Sequence, residues 1–139
     1  MVLAGEGPDK NQILEWIQHH SMEKRVRCIG FVSPDELRNL YAECRAVYYS
    51  PVNEDFGLVT MEAFRSRKPV ITTTDSGGPA EIVHHEKSGF VVAPEKDAIA
   101  GCITNLFEDT NLAEKMGETG YQEWKHITWP ETVKKLLLT

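Results

Sequence analysis

Short apolar clusters alternate along this chain with longer stretches whose apolar residues recur at helical spacing. Val2-Leu3-Ala4 is a brief apolar run that stops at Gly5-Glu6-Gly7-Pro8 and reads as the end of a strand already in progress. Between Asp9 and His20, Ile13, Leu14 and Ile17 fall on one helical face with Trp16 beside them. Val26 to Gly30 reads as a strand. Ser33-Pro34-Asp35-Glu36 is a helix start, with Ser33 as N-cap, Pro34 in the first turn and Glu36 completing a capping box. Leu37, Leu40 and Tyr41 supply the buried face of that helix. A strand over Ala46 to Tyr49 follows, then a helix from about Gly57 to Arg65 and a strand from Pro69 to Thr73. A short helix around Ala80 to Val83 and a strand at Gly89-Phe90-Val91-Val92 come next. Lys96 to Glu108 and Leu112 to Trp124 read as helices, and Trp129-Pro130 opens a last one through Val133, Leu136 and Leu137.

Strands that alternate with helices predict an α/β fold, a Rossmann-like parallel sheet with helices on both faces. Ligands bind such sheets at the carboxyl ends of the strands. Ser50 to Phe56 and Thr74 to Pro79 both follow strand carboxyl ends, so they are expected to line one crevice.

Composition narrows the class. At 139 residues the chain is one domain with room for its own core. Hydrophobic residues make up 41% and charged residues 26%, as in a soluble globular chain. A net charge of −6 argues against a nucleic-acid partner. No apolar run approaches the length of a membrane span, and no signal peptide is visible. Cys28, Cys44 and Cys102 are odd in number and widely spaced, which predicts reduced, mostly buried thiols and no zinc site. His19-His20 and His84-His85 are adjacent pairs. Neighbours on a helix point about 100° apart, so each pair is a poor two-point ligand and reads as a solvated helix end.

The chemistry concentrates in Asn53-Glu54-Asp55-Phe56-Gly57-Leu58-Val59-Thr60-Met61-Glu62. Glu54 and Glu62 flank Phe-Gly-Leu, where a loop becomes a helix. The helix N-terminus offers N–H groups and a positive dipole end to a phosphate, and Gly57 lets a ligand approach the backbone. Carboxylates accept hydrogen bonds from hydroxyls. The expected ligand therefore carries a diphosphate and sugar hydroxyls, with Glu54 on one side and Glu62 on the other. Plainer readings stand beside this one. Asp55 fits an acid decorating a helix start, worth about 0.3–1 kcal/mol. Glu62, one turn into its helix, can simply face water. Gly77-Gly78 reads as a tight turn or as a ligand-facing loop, and Gly5-Glu6-Gly7-Pro8 as a turn without direct chemistry. Trp124 and Trp129 read as core or interdomain packing.

Several segments, in order, resemble the C-terminal, donor-binding half of a retaining glycosyltransferase of the GT-B class, family four, the glycosyl transferases group one. They are Gly5-Glu6-Gly7-Pro8; Gly30-Phe31-Val32 with Leu37 and Tyr41; Glu54-Asp55-Phe56-Gly57-Leu58 through Glu62-Ala63-Phe64; Lys68-Pro69-Val70 to Gly77-Gly78 with Glu81-Ile82-Val83; and Ser88-Gly89-Phe90-Val91-Val92. The resemblance implies that Glu54 holds the donor sugar's hydroxyls. It implies that the backbone of Phe56, Gly57 and Leu58 meets sugar and diphosphate, and that Glu62 binds the ribose hydroxyls. It also implies that Phe31 and Val32 lie beside the base.

On this resemblance the substrate is a nucleoside-diphosphate sugar. With no Asp-x-Asp motif, no metal or other cofactor is expected. Two departures stand out. The family's Arg and Lys that neutralise the diphosphate belong to a segment preceding Gly5, and the N-terminal acceptor domain has no counterpart here. The chain is thus expected to be a partial donor domain, inactive by itself and partnered by that N-terminal domain. The full-length protein is expected in the cytoplasm, at the inner membrane face by peripheral association. Ser66-Arg67-Lys68 stands where the family often has a Gly, and Arg67 reads as an electrostatic helix cap. The alternatives are a sugar-nucleotide epimerase half-domain, which needs no acceptor, and a non-catalytic partner-binding domain of the same fold. A receiver-type signalling domain lacks its acidic cluster and Lys here.

Overall fold

The computed structural model describes residues 1–138. The chain divides into a unit from Met1 to Asn39 and a unit from Leu40 onward.

The first unit holds β1 (Val2–Ala4), α1 (Lys10–His19), β2 (Arg27–Gly30) and the start of α2 (Pro34–Glu43). β1 and β2 pair in parallel, with Val2 opposite Arg27 and Leu3 opposite Cys28. The Gly5 amide extends the pairing by donating to the Gly30 carbonyl at 2.7 Å. α2 starts where its capping box directs. The Glu36 amide donates to Ser33 Oγ at 3.3 Å, and Glu36 Oε2 accepts from the Ser33 amide at 2.8 Å. The Ser33 amide, contributing most, and the Ser33 hydroxyl, which donates to the same Glu36 Oε2 at 2.7 Å, hold the Glu36 carboxyl below its ordinary range. The predicted apolar face of α1 is buried only at Ile17; Ile13 and Leu14 are each 41% exposed. Two short strands present too little apolar surface to cover a whole helical face.

The second unit runs β3 (Val47–Tyr48), α3 (Leu58–Arg65), β4 (Val70–Thr73), α4 (Gly78–Ile82), β5 (Gly89–Val92), α5 (Lys96–Glu108), α6 (Thr110–Trp124) and α7 (Trp129–Leu137). Its strands form a parallel sheet in the order β3-β4-β5. The predicted alternation therefore holds and every paired strand is parallel, although the strands lie in two sheets. All four residues of β4 are buried, as a central strand of a covered parallel sheet requires. Ile71 and Phe90 from this sheet pack with Cys102 and Leu106 of α5 and with Ala113 and Met116 of α6. Cys102 is the one fully buried thiol; Cys28 and Cys44 are half-buried, and all three are free.

α3 packs on α6 through small residues. A Cβ on Gly120 would lie 2.3 Å from the Phe64 ring, and one on Gly117 would lie 2.1 Å from the Arg67 carbonyl. Arg67 does more than cap α3. Its backbone takes φ 54°, its guanidinium sits 3.9 Å from the Tyr121 ring centre, and its Nε donates to Glu118 at 2.8 Å. It ties the end of α3 to α6.

Some element ends move. α4 starts at Gly78, ahead of the expected Ala80, because Pro79 is accommodated in its first turn. α6 starts at Thr110, where the Asp109 carboxylate accepts from the Leu112 amide at 2.9 Å. No side chain of α7 is buried, and Trp129 is 82% exposed, contrary to a core role; Trp124 is half-buried. Among the described residues no helix is long and apolar enough to cross a membrane.

Candidate functional site

The site begins where β4 ends. The Ser76 amide bonds back to the Thr73 carbonyl at 3.0 Å, and the buried Ser76 and Thr73 hydroxyls meet at 2.9 Å. This turn aims the Asp75 and Ser76 carbonyls at the acidic loop that follows β3. The Asn53 amide donates to Asp75 at 3.0 Å and the Glu54 amide to Ser76 at 3.1 Å; the Gly78 amide donates to the Glu54 carbonyl at 2.7 Å. The two loops expected to share a crevice are thus zipped together by backbone hydrogen bonds, with Glu54 bridged to Gly77.

This zipper explains the two adjacent glycines. Gly77 has φ 72°, and a Cβ there would lie 2.5 Å from the Glu54 carbonyl oxygen; a Cβ on Gly78 would lie 2.6 Å from that of Asp55. Gly77-Gly78 makes room for the acidic loop itself. Gly57 is under a similar constraint. It is the left-handed N-cap of α3, at φ 76°, and a Cβ on it would lie 2.5 Å from Pro79 Cγ. Pro79 fills the side of Gly57 on which a Cβ would stand.

Beyond Gly57, α3 begins with no side-chain cap. Its first turn keeps N–H groups that the helix cannot satisfy internally, next to Phe56 and Leu58, which are 48% and 66% exposed. Glu54 and Glu62 stand on either side of this helix start, Glu54 in the loop and Glu62 on the second turn. Each has a tyrosine partner. The Tyr41 hydroxyl donates to Glu62 Oε2 at 2.8 Å, and the Tyr49 hydroxyl faces Glu54 Oε2 at a longer 3.4 Å. Burial, then the hydrogen bond and charge of Glu62, push the Tyr41 phenol far above its ordinary range. Burial and Glu54 push Tyr49 up as well.

Glu54, Phe56, Gly57, Leu58 and Glu62 therefore share one loop-to-helix segment of the second unit. Phe31 and Val32 belong to the first unit, at the carboxyl end of β2, where Phe31 is 82% exposed and Val32 half-buried. Sequence reasoning missed the roles of Tyr41, Tyr49, Ser76 and Pro79 around the motif. Tyr41 announced itself only as an apolar position of α2, since its contact with Glu62 spans 21 residues.

Residues 1–123 match the family model described as glycosyl transferases group 1. The chain belongs to that family. An uncharacterised glycosyltransferase of Methanocaldococcus jannaschii is 28% identical over 137 residues, covering 97% of this chain and 35% of that protein. The human alpha-1,3/1,6-mannosyltransferase ALG2 is 29% identical over 147 residues, covering 99% of this chain and 35% of its own length. The chain thus spans about a third of the glycosyltransferases it matches. Among solved structures, HepE of Anabaena in complex with UDP-glucose superposes with a TM-score of 0.82 at 24% identity, over 99% of this chain and 40% of that one. The fold is that of the GT-B glycosyltransferases, and within this group 1 chain the loop-to-helix segment carries the paired glutamates.

Proposed function

We propose that this chain is the greater part of the donor-binding half of a glycosyltransferase that moves a sugar from a nucleoside-diphosphate sugar to an acceptor with retained configuration. The observation that carries this reading is the uncapped start of α3, flanked by Glu54 and Glu62 and locked in place by the zipper to the glycine loop. Family membership and the UDP-glucose complex of the Anabaena relative support the same ligand class.

In this reading the diphosphate lies against the backbone of Phe56, Gly57 and Leu58. As the nucleoside diphosphate departs, negative charge grows on its oxygens. The N–H groups and dipole of α3 meet that charge already oriented, so little reorganisation is needed. Glu54 accepts hydrogen bonds from the sugar hydroxyls and sets the anomeric carbon towards the acceptor. Glu62 accepts from the ribose. The sequence holds no Asp-x-Asp motif, and the reading assigns no step to a metal. The acceptor is held by a further domain of the full-length protein.

A hydrogen bond to a charged group contributes about 1.5–3 kcal/mol, so Glu54→Ala in the full-length protein lowers turnover by about one to two orders of magnitude. Sugar transfer followed by product analysis is the measurement. Turnover near that of the unmodified protein removes Glu54 from the reaction, and an inverted anomer in the product rules out retention.

A further inference from the structure

Glu62 has an unusual setting for a residue on an exposed helical turn. Its carboxylate is reached from a different element by a phenol that is itself only 8% exposed. The bond is 2.8 Å long, the ordinary length for a hydroxyl donor. Tyr41 is fixed by burial of its ring near the end of α2, so its hydroxyl is not free to follow a moving partner. An exposed glutamate otherwise samples several rotamers and loses that freedom when a ligand arrives.

We infer that Tyr41 is a positioning residue, which holds one oxygen of the Glu62 carboxylate so that the group is already oriented to accept the ribose hydroxyls of the donor. This inference rests on the ribose role proposed for Glu62 and adds a specificity device to it. Tyr41 donates to Oε2. A carboxylate has about four lone-pair positions on its two oxygens. One Tyr41 proton therefore leaves Oε1 and the second lone pair of Oε2 for a vicinal diol. A carboxylate kept oriented prefers a ribonucleotide over an analogue without ribose hydroxyls. The neighbouring Tyr49 stands in a looser relation to Glu54, at 3.4 Å, so the preorganisation is strongest on the ribose side.

The test uses the full-length protein, with UDP, GDP and ADP and the 2′,3′-dideoxy form of each, followed by calorimetry. Tyr41→Phe keeps the ring and removes the hydroxyl. It is expected to weaken the preferred ribonucleotide about threefold to tenfold, the cost of ordering one flexible side chain. Its dideoxy counterpart should weaken by less than about twofold, since it makes no bond to Glu62 for Tyr41 to prepare. In a Glu62→Ala background, Tyr41→Phe should cause no further loss. Equal weakening of both nucleotide forms, or further loss in the Glu62→Ala background, would show a merely structural tyrosine and overturn the inference. Unchanged ribonucleotide affinity in Tyr41→Phe would overturn it too. If the unmodified protein does not distinguish ribose from dideoxyribose, the ribose role of Glu62 itself fails and takes the inference with it.

Discussion

Gly57 meets two constraints at once. Its φ of 76° lies in the left-handed region, and Pro79 occupies the position of a Cβ. The left-handed backbone alone costs an L residue about 1–2 kcal/mol. Gly57→Ala is therefore expected to lower stability by at least that much, read as a lower urea midpoint with an unchanged slope. It should also weaken nucleotide binding, because the start of α3 must shift to relieve Pro79. The glycine could be picked out in the sequence; its reason could not. Proximity to Pro79, on a different helix, is visible only once β4 and its turn are in place. The same holds for Gly77 and Gly78, whose neighbours are backbone atoms of the acidic loop. By contrast, the Ser33–Glu36 capping box was fully legible, since both partners lie within one helical turn.

Helix packing separates glycines that look alike in sequence. Gly101 on α5 and Gly120 on α6 are both interior helical positions. A Cβ on Gly101 meets nothing within 4 Å, whereas one on Gly120 would lie 2.3 Å from the Phe64 ring. Gly101→Ala should stabilise the chain by about 0.5–1 kcal/mol through helix propensity. Gly120→Ala should destabilise it by about 1–3 kcal/mol through overpacking. Paired urea titrations of the two variants check this, and opposite signs are expected. The helical spacing of α6 was readable, but which of its faces meets α3 was not. Arg67 illustrates the same limit. Its charge at the end of α3 suggested a cap, and the contact with Tyr121 and Glu118 arises only because α6 runs past that end. On α1, periodicity predicted more burial than the two-stranded sheet beside it provides.

Across the chain, order is distributed unevenly. β4 is buried along its full length and bonded on both sides, while α7 has no buried side chain. Amide hydrogen exchange should therefore be slowest in β4 and slower in α6 than in α7, because opening a buried central strand requires disrupting the core. Mass-spectrometric exchange on the native protein measures this, and comparable rates in β4 and α7 would contradict it. Sequence alone determined the alternation of strands and helices, the parallel pairing that follows from it, and the position of the paired glutamates at a loop-to-helix junction. Those features depend on local periodicity and on turn chemistry within a few residues, both of which are written contiguously. Tertiary structure decided which atoms fill the space beside the glycines, how the two loops are zipped, and that Tyr41 reaches Glu62. Those are contacts between segments distant in sequence, set by the close packing of a sheet against its helices rather than by any local pattern.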